Sequence, residues 1–159
     1  MNVRHDMVTV FVARADASGA SHEFLQLRRD EQDSMGGTWQ FIRGAVETGE
    51  SYVQAALREI QEECGLTPAE FYRVGSVESF YTSVDDTLWH SVVFCALVAR
   101  DACVRLNHEH SEFRWTHRNE IKRASIWASE RRILKDVLCE ILDSGPAKTY
   151  LRIDLQRGS

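Results

Sequence analysis

The sequence predicts an α/β (α+β) domain in which a mixed sheet is flanked by helices. Three observations point there. Alternating, β-branched runs recur along the chain, a helical period of apolar residues appears twice, and no internal repeat or low-complexity stretch interrupts them. At 159 residues, with 43% apolar and 27% charged side chains, the chain can bury one real core and is too short for two ordinary domains. Residues 1–143 read as that single domain and 144–159 as a C-terminal extension.

The first strand is "MVTVFVAR" (Met7–Arg14), which alternates and is β-branched, and "ADASGA" turns the chain into a second, "HEFLQLRR" (His22–Arg29). "DEQDSMGG" (Asp30–Gly37) is a polar loop by composition, and "TWQFIRG" is a short extended piece ending at Gly44. From Ser51 to Cys64 the period becomes helical: "SYVQ" offers a capping box, and Gly65 with Pro68 supplies the stop. "FYRVGSVESFYTS" and "HSVVFCALVAR" read as strands about the turn "VDDT", with "CVRL" and "EFRWT" as shorter ones. Ile126, Ile133, Leu134, Val137, Leu138, Ile141 and Leu142 predict a helix over 125–142. The last segment, "TYLRIDLQ", reads as a terminal strand or a tail.

Composition excludes several classes. The longest apolar run, "SVVFCALVA", is well short of a membrane span, and the start lacks a basic flank and sustained apolar centre, so a cytoplasmic protein without membrane attachment is expected. A net charge of −5 speaks against a nucleic-acid polymer as partner. It allows a small phosphorylated substrate, because a bound divalent cation inverts local charge. Cys64, Cys95, Cys103 and Cys139 show no metal-ligand spacing, and Cys95 and Cys139 read as buried thiols. A homodimer is compatible with the sequence.

The predicted helix from Ser51 to Cys64 is rich in carboxylates. Glu59 stands three and four residues before Glu62 and Glu63, so all three crowd one side while Val53, Leu57, Ile60 and Cys64 form an apolar stripe. Like charges at this spacing repel. Arg58 can offset part of that by pairing with Glu62, and a hard divalent cation offsets more, since Mg²⁺ and Mn²⁺ favour oxygen ligands. Taken alone, the carboxylates describe an ordinary solvated helix face.

Their register says more. Gly44, Glu50, Arg58, Glu59, Ile60, Glu62, Glu63, Gly65 and Leu66 stand at the spacing G, five residues, E, seven residues, REU, one residue, EE, one residue, GU, where U is aliphatic. In this respect the chain resembles the Nudix hydrolases, without departure from their signature. "TWQFIRGAVETGES" and "NHEHSEFRWTHRNE" resemble the segments before and after that box in branches acting on dATP, dihydroneopterin triphosphate or dinucleoside tetraphosphates.

The resemblance implies a Nudix α/β/α sandwich and Mg²⁺- or Mn²⁺-dependent hydrolysis of a nucleoside diphosphate linked to a further group. It implies metal ligation by Glu59, Glu62, Glu63 and the Gly44 carbonyl, with Glu109 completing the site, and a catalytic group of Glu59, Glu109 and Arg58. Glu59 and Glu109 are equal candidates for the general base, and Arg58 would orient a carboxylate. Glu50 would steady the loop–helix junction, Gly65 would end the helix, and Glu47 could lie near the metals. Arg28 and Arg29 could meet substrate phosphates. His108 and His110 read as surface histidines, with phosphate contact as the alternative. Trp39, Phe80, Tyr81 and Trp89 read as core aromatics, with base stacking as the alternative.

Departures narrow the substrate. "IRGA" (Ile42–Ala45) stands where tetraphosphate hydrolases commonly carry "PKGH", and the proline favoured by the ADP-ribose branch is missing. The reading is therefore a (deoxy)nucleoside triphosphate or dihydroneopterin triphosphate pyrophosphohydrolase. A dinucleoside tetraphosphate hydrolase and a non-catalytic nucleotide sensor are the alternatives.

Overall fold

A computed structural model describes residues 1–156. Its centre is β1 (Asn2–Ala15), longer than predicted. β1 runs parallel to β6 (Thr87–Leu97) and antiparallel to β2 (His22–Arg29) and β4 (Ile42–Ala45). The sheet is mixed, in the order β3 (Trp39–Gln40), β2, β1, β6, β5 (Glu70–Thr82), β8 (Arg152–Ile153). β4 joins it at β1, and β7 (His110–His117) joins at β2.

Strand alternation divides β1 between two cores. Val8, Val10 and Val12 pack with Ala55, Ala56, Ile60 and Cys64 of α1 (Tyr52–Cys64). Phe11 and Ala13 pack on the other face with Ile133, Leu134 and Val137 of the C-terminal helical segment. A strand covered on both faces reads as a nearly continuous apolar run, and "VTVFVA" does.

α1 begins as its sequence predicts. The Ser51 hydroxyl accepts from the Gln54 N–H while the Gln54 side chain accepts from the Ser51 N–H. It ends at Gly65, whose φ of 67° is the left-handed conformation that glycine adopts without Cβ strain. Val53 and Leu57 are only partly buried, and the core side is carried more by Ala55 and Ala56.

Several expectations need correction. "CVRL" is no strand: Ala102, Val104 and Leu106 pack against the α1 core, and the Arg105 N–H bonds the Cys64 carbonyl, so the segment straps the helix end. The helix expected over 125–142 starts only at Ala128, as α3 (Ala128–Asp136) with a π-helical continuation, Val137–Leu142; Ser125 and Trp127 are extended, and a separate short α2 (Ile121–Ala124) precedes them. Cys139 is exposed, because it lies two residues from both Val137 and Ile141 and faces away from them; Cys95 is buried as expected. The final segment is α4 (Lys148–Leu151) followed by β8, which pairs Ile153 with Phe71 and extends the sheet at β5. No described helix is long and apolar enough to cross a membrane.

Candidate active site

The loop after β4 and the last turns of α1 meet across β1. Gly44 sits opposite Val8 in the sheet, and a Cβ on it would lie 2.0 Å from the Glu59 carboxyl. Only glycine lets the strand pass so close to that carboxylate.

Arg58 organises the acidic cluster. Its guanidinium donates to both oxygens of Glu50 (2.7 and 3.0 Å), to Glu59 Oε1 (2.7 Å), to Glu62 Oε2 (3.2 Å) and to the Ala45 carbonyl (2.9 Å). The forked pair ties helix to loop, and Glu50 Oε2 also accepts the Glu47 N–H, so Glu50 has the structural role expected of it. These hydrogen bonds hold the Glu50 carboxyl down at about 2 and raise the Arg58 guanidinium above its ordinary value. Glu47 itself is exposed.

Glu63 is the unusual member. It is 3% exposed, and its Oε2 has no hydrogen-bond partner. Burial, reinforced by the charges of Glu59 and Glu109, pushes its carboxyl up to about 9. Glu59 is shifted upward as well, burial outweighing the pull of Arg58. Glu62 is 54% exposed and turned toward Arg58. Among the described residues, no three His, Cys, Asp or Glu side chains form a finished metal cage. Glu59 Oε1 and Glu62 Oε2 both accept from Arg58 Nη1.

The donor set nonetheless fits a hard cation. It offers oxygen atoms, one of them buried and unpartnered, and a glycine that leaves room beside Glu59.

A cleft of about 220 Å³ opens here, lined by Arg29, Gln40, Arg43, Gly44, Glu63 and His110 among others. Arg29 is tethered to the Ser34 carbonyl at 2.8 Å. Arg28 does not line the cleft, and its guanidinium is engaged by Glu31 (2.6 Å) and Glu112 (2.8 Å). Glu109, half-buried just before β7, is near enough for its charge to act on Glu59 and Glu63. His108 is exposed as expected, whereas His110 is 6% exposed, a correction to its reading as a surface histidine. Its Nε2 lies 3.9 Å from Glu63 Oε2, beyond hydrogen-bond reach, and burial lowers its pKa and keeps the ring neutral.

A second cavity of about 260 Å³ adjoins the first, with Gln40, Phe41 and Arg43 lining both. Its further walls include Glu78, Phe80, Tyr81, Trp127, Ser129 and Glu130. Phe80 lies parallel to Trp89, at 6.3 Å between ring centroids, and Trp39 carries the Arg114 guanidinium 4.1 Å from its ring centre. None of these four predicted core aromatics is fully buried, because each projects from the margin of the sheet rather than between its layers.

Sequence reasoning missed the polar floor of this cavity. Arg43 Nη2 donates to both oxygens of Glu78 (3.0 and 2.8 Å) and reaches Glu130 Oε1 at 3.4 Å. Glu78 also accepts from Thr9 (3.0 Å) and Ser129 (2.8 Å). A signal was available. Glu130 stands on the same helical stripe as Ile133, Leu134 and Val137, where a charged residue is out of place.

The NUDIX domain model matches residues 3–137. Among individual proteins, a Myxococcus xanthus octanoyltransferase is 37% identical over 116 residues, which is 69% of this chain but 30% of that protein. This chain therefore spans less than a third of that relative. The asymmetrical bis(5'-nucleosyl)-tetraphosphatase of Sus scrofa is 29% identical over 103 residues, covering 62% of this chain and 68% of the enzyme. Among solved structures, a MutT protein from Methanosarcina mazei Go1 superposes with a TM-score of 0.69 at 26% identity, over 84% of this chain and 91% of that one. The C. elegans Ap4A hydrolase in a binary complex gives a TM-score of 0.69 at 21% identity, over 87% and 96%, a likeness of fold. The signature glycines and glutamates, the layered mixed sheet and a family match over most of the chain agree: this protein belongs to the Nudix family.

Proposed function

We propose that the chain is a Mg²⁺- or Mn²⁺-dependent pyrophosphohydrolase. Its substrate is a nucleoside diphosphate linked to another group, best read as a (deoxy)nucleoside triphosphate or dihydroneopterin triphosphate. The products are the monophosphate and pyrophosphate. Residues 1–143 would form the catalytic unit, with 144–159 an extension of it.

The observation that carries this reading is Glu63: buried, with one oxygen unpartnered, beside Glu59 and facing a cleft with Arg29 at its edge. A carboxyl so placed is unfavourable unless something positive completes it. Glu59, Glu62, Glu63 and Glu109, with the Gly44 carbonyl, would hold the ion. When bound, it supplies charge neutralisation at the diphosphate and lowers the pKa of a coordinated water.

The remaining chemistry belongs to the chain. Arg58 fixes Glu59 through Oε1, beside Gly44 of the cleft wall, and the other oxygen would serve the ion or the attacking water. Glu59 or Glu109 takes the proton of the attacking water. Arg29 donates to phosphate oxygens, where charge grows as the anhydride breaks. The adjoining aromatic cavity takes the ring system, so one molecule spans both spaces.

The test is phosphate and pyrophosphate release over a panel of dNTPs, dihydroneopterin triphosphate, diadenosine tetraphosphate and ADP-ribose, with and without Mg²⁺. Tight binding of any member with no turnover of all of them would replace this reading with that of a sensor. The similarity to the Sus scrofa tetraphosphatase favours a second reading, hydrolysis of a dinucleoside tetraphosphate, and the same panel decides between the two.

A further inference from the structure

The cavity beside the phosphate cleft holds two buried glutamates with different surroundings. Glu78 is satisfied on both oxygens, by Arg43, Ser129 and Thr9. Glu130 is 4% exposed; its carboxyl accepts from the Trp127 backbone N–H three residues before it and from Arg43 Nη2 at 3.4 Å, a nitrogen already given to Glu78. A carboxylate offers about four acceptor positions, so Glu130 keeps some to spare in a cavity whose walls also carry the rings of Phe41, Phe80, Tyr81 and the 41%-exposed Trp127. Among the described residues, the side-chain hydrogen bonds of Arg43 all run through Nη2, which leaves its Nη1 donors for an acceptor in the cavity that Arg43 and Glu130 both line.

Those groups define an edge. Glu130 has the capacity to accept from two neighbouring N–H donors of a ligand, and Arg43 to donate to a carbonyl next to them. An amino group, a ring N–H and a ring carbonyl in that order is the edge of the 2-amino-4-oxopyrimidine ring contained in both guanine and pterin. We propose that Glu130 reads this edge, so that the substrate carries a guanine- or pterin-type ring and adenine is rejected. Adenine would set a ring-nitrogen acceptor against the carboxylate and leave it unpaired, which is how a polar site discriminates strongly. The proposal rests on the reading that this cavity houses the ring of the hydrolysed nucleotide.

The test separates the two by measuring binding without turnover. Calorimetric titration with GMP and AMP should give at least a ten-fold preference for GMP. In Glu130→Gln, an isosteric change whose amide offers one donor and one acceptor, the ratio should fall to within three-fold or invert. Trp127→Ala should weaken both ligands by a similar factor and leave the ratio in place. Equal binding of GMP and AMP by the wild-type protein, or an unchanged ratio in Glu130→Gln with a native melting curve, would overturn the assignment. A preserved GMP preference with no nucleotide hydrolysed would support it and overturn the hydrolytic reading instead. Turnover of dGTP set beside dihydroneopterin triphosphate then tells the guanine source from the pterin source.

Discussion

Glu63 on α1 and Glu78 on β5 are almost equally hidden, at 3% and 1% exposure, yet the protein treats them in opposite ways. Glu78 is met by an arginine and two hydroxyls within 3.0 Å. Glu63 keeps one oxygen without a partner and has carboxylates and a neutral imidazole for neighbours. A buried carboxyl that is fully answered belongs to the architecture of its pocket. One left unanswered marks where the fold expects a partner from outside. The two lie in adjoining cavities, joined by Arg43 on the residue before Gly44.

The sharpest way to break the comparison is to strip Glu78 of its partner. Arg43→Met removes the cation and leaves Glu78, and with it Glu130, buried without a counter-charge, although Thr9 and Ser129 still donate to Glu78. A loss of about 3–5 kcal/mol in unfolding free energy is expected, read by urea denaturation. Adding Glu78→Gln should return much of it. A single mutant within about 0.5 kcal/mol of wild type would mean the pair is not what holds this region.

Glu63 should respond the other way. Glu63→Gln removes a buried, unsatisfied acid, so the melting temperature should hold or rise. Turnover on the best substrate of the panel should drop by roughly ten-fold to thousands-fold, as for loss of a charge-stabilising group in a water-poor site. Retained turnover would show that the unpartnered oxygen has no catalytic duty.

These two regions were not equally legible in the sequence. The α1 cluster could be read because its parts lie close along the chain: the capping box, the glutamates at helical spacing and Gly65 all fall within one local element. Gly44 and Glu50 stand only a short loop away. The Arg43–Glu78–Glu130 network joins residues 35 and 87 positions apart, and no local period connects them. Its trace was a glutamate on an apolar helical stripe, a sign that something nearby must compensate it without saying what. His110 was misread for a similar reason. Its burial depends on β7 pairing with β2 over the α1 terminus, a tertiary event that the polar run "NHEHSE" conceals. The late start of the C-terminal helix and the role of "CVRL" as a strap escaped because period and propensity are alike for the observed and the predicted forms.

A gentler test uses pH on the Arg43 side. Burial raises the Glu130 carboxyl to about 7 from an ordinary 4.5, with Arg43 opposing the shift and Glu78 adding to it. The folded state then binds more protons than the unfolded state across that window. Stability from this group is therefore full below about pH 4.5, declines as pH rises through 7, and is level above, by no more than about 3 kcal/mol. Unfolding free energies from pH 4.5 to 8 for wild type and Glu130→Gln isolate the contribution, since other titrating groups are common to both. Parallel profiles would show that Glu130 is charged at no greater cost than an ordinary glutamate.

The smallest expected effect returns to Glu63 and asks only whether a cation binds. A ligand that binds the folded chain alone raises stability by an amount set by its concentration over its dissociation constant, about 1 kcal/mol at a few-fold excess. For a domain of this size that is a melting shift of about 2–4 °C. Millimolar Mg²⁺ should produce it in the wild-type protein, and excess EDTA should reverse it. Glu63→Gln should shrink the shift sharply, because the buried oxygen is where a charge is most welcome. Glu130→Gln should leave it intact, because Arg43 already compensates the pocket in which Glu130 stands. Equal shifts in both variants would place the cation elsewhere on the acidic surface and dissolve the distinction between the two glutamates. A shift confined to proteins that keep Glu63 would tie the unpartnered carboxyl to the ion.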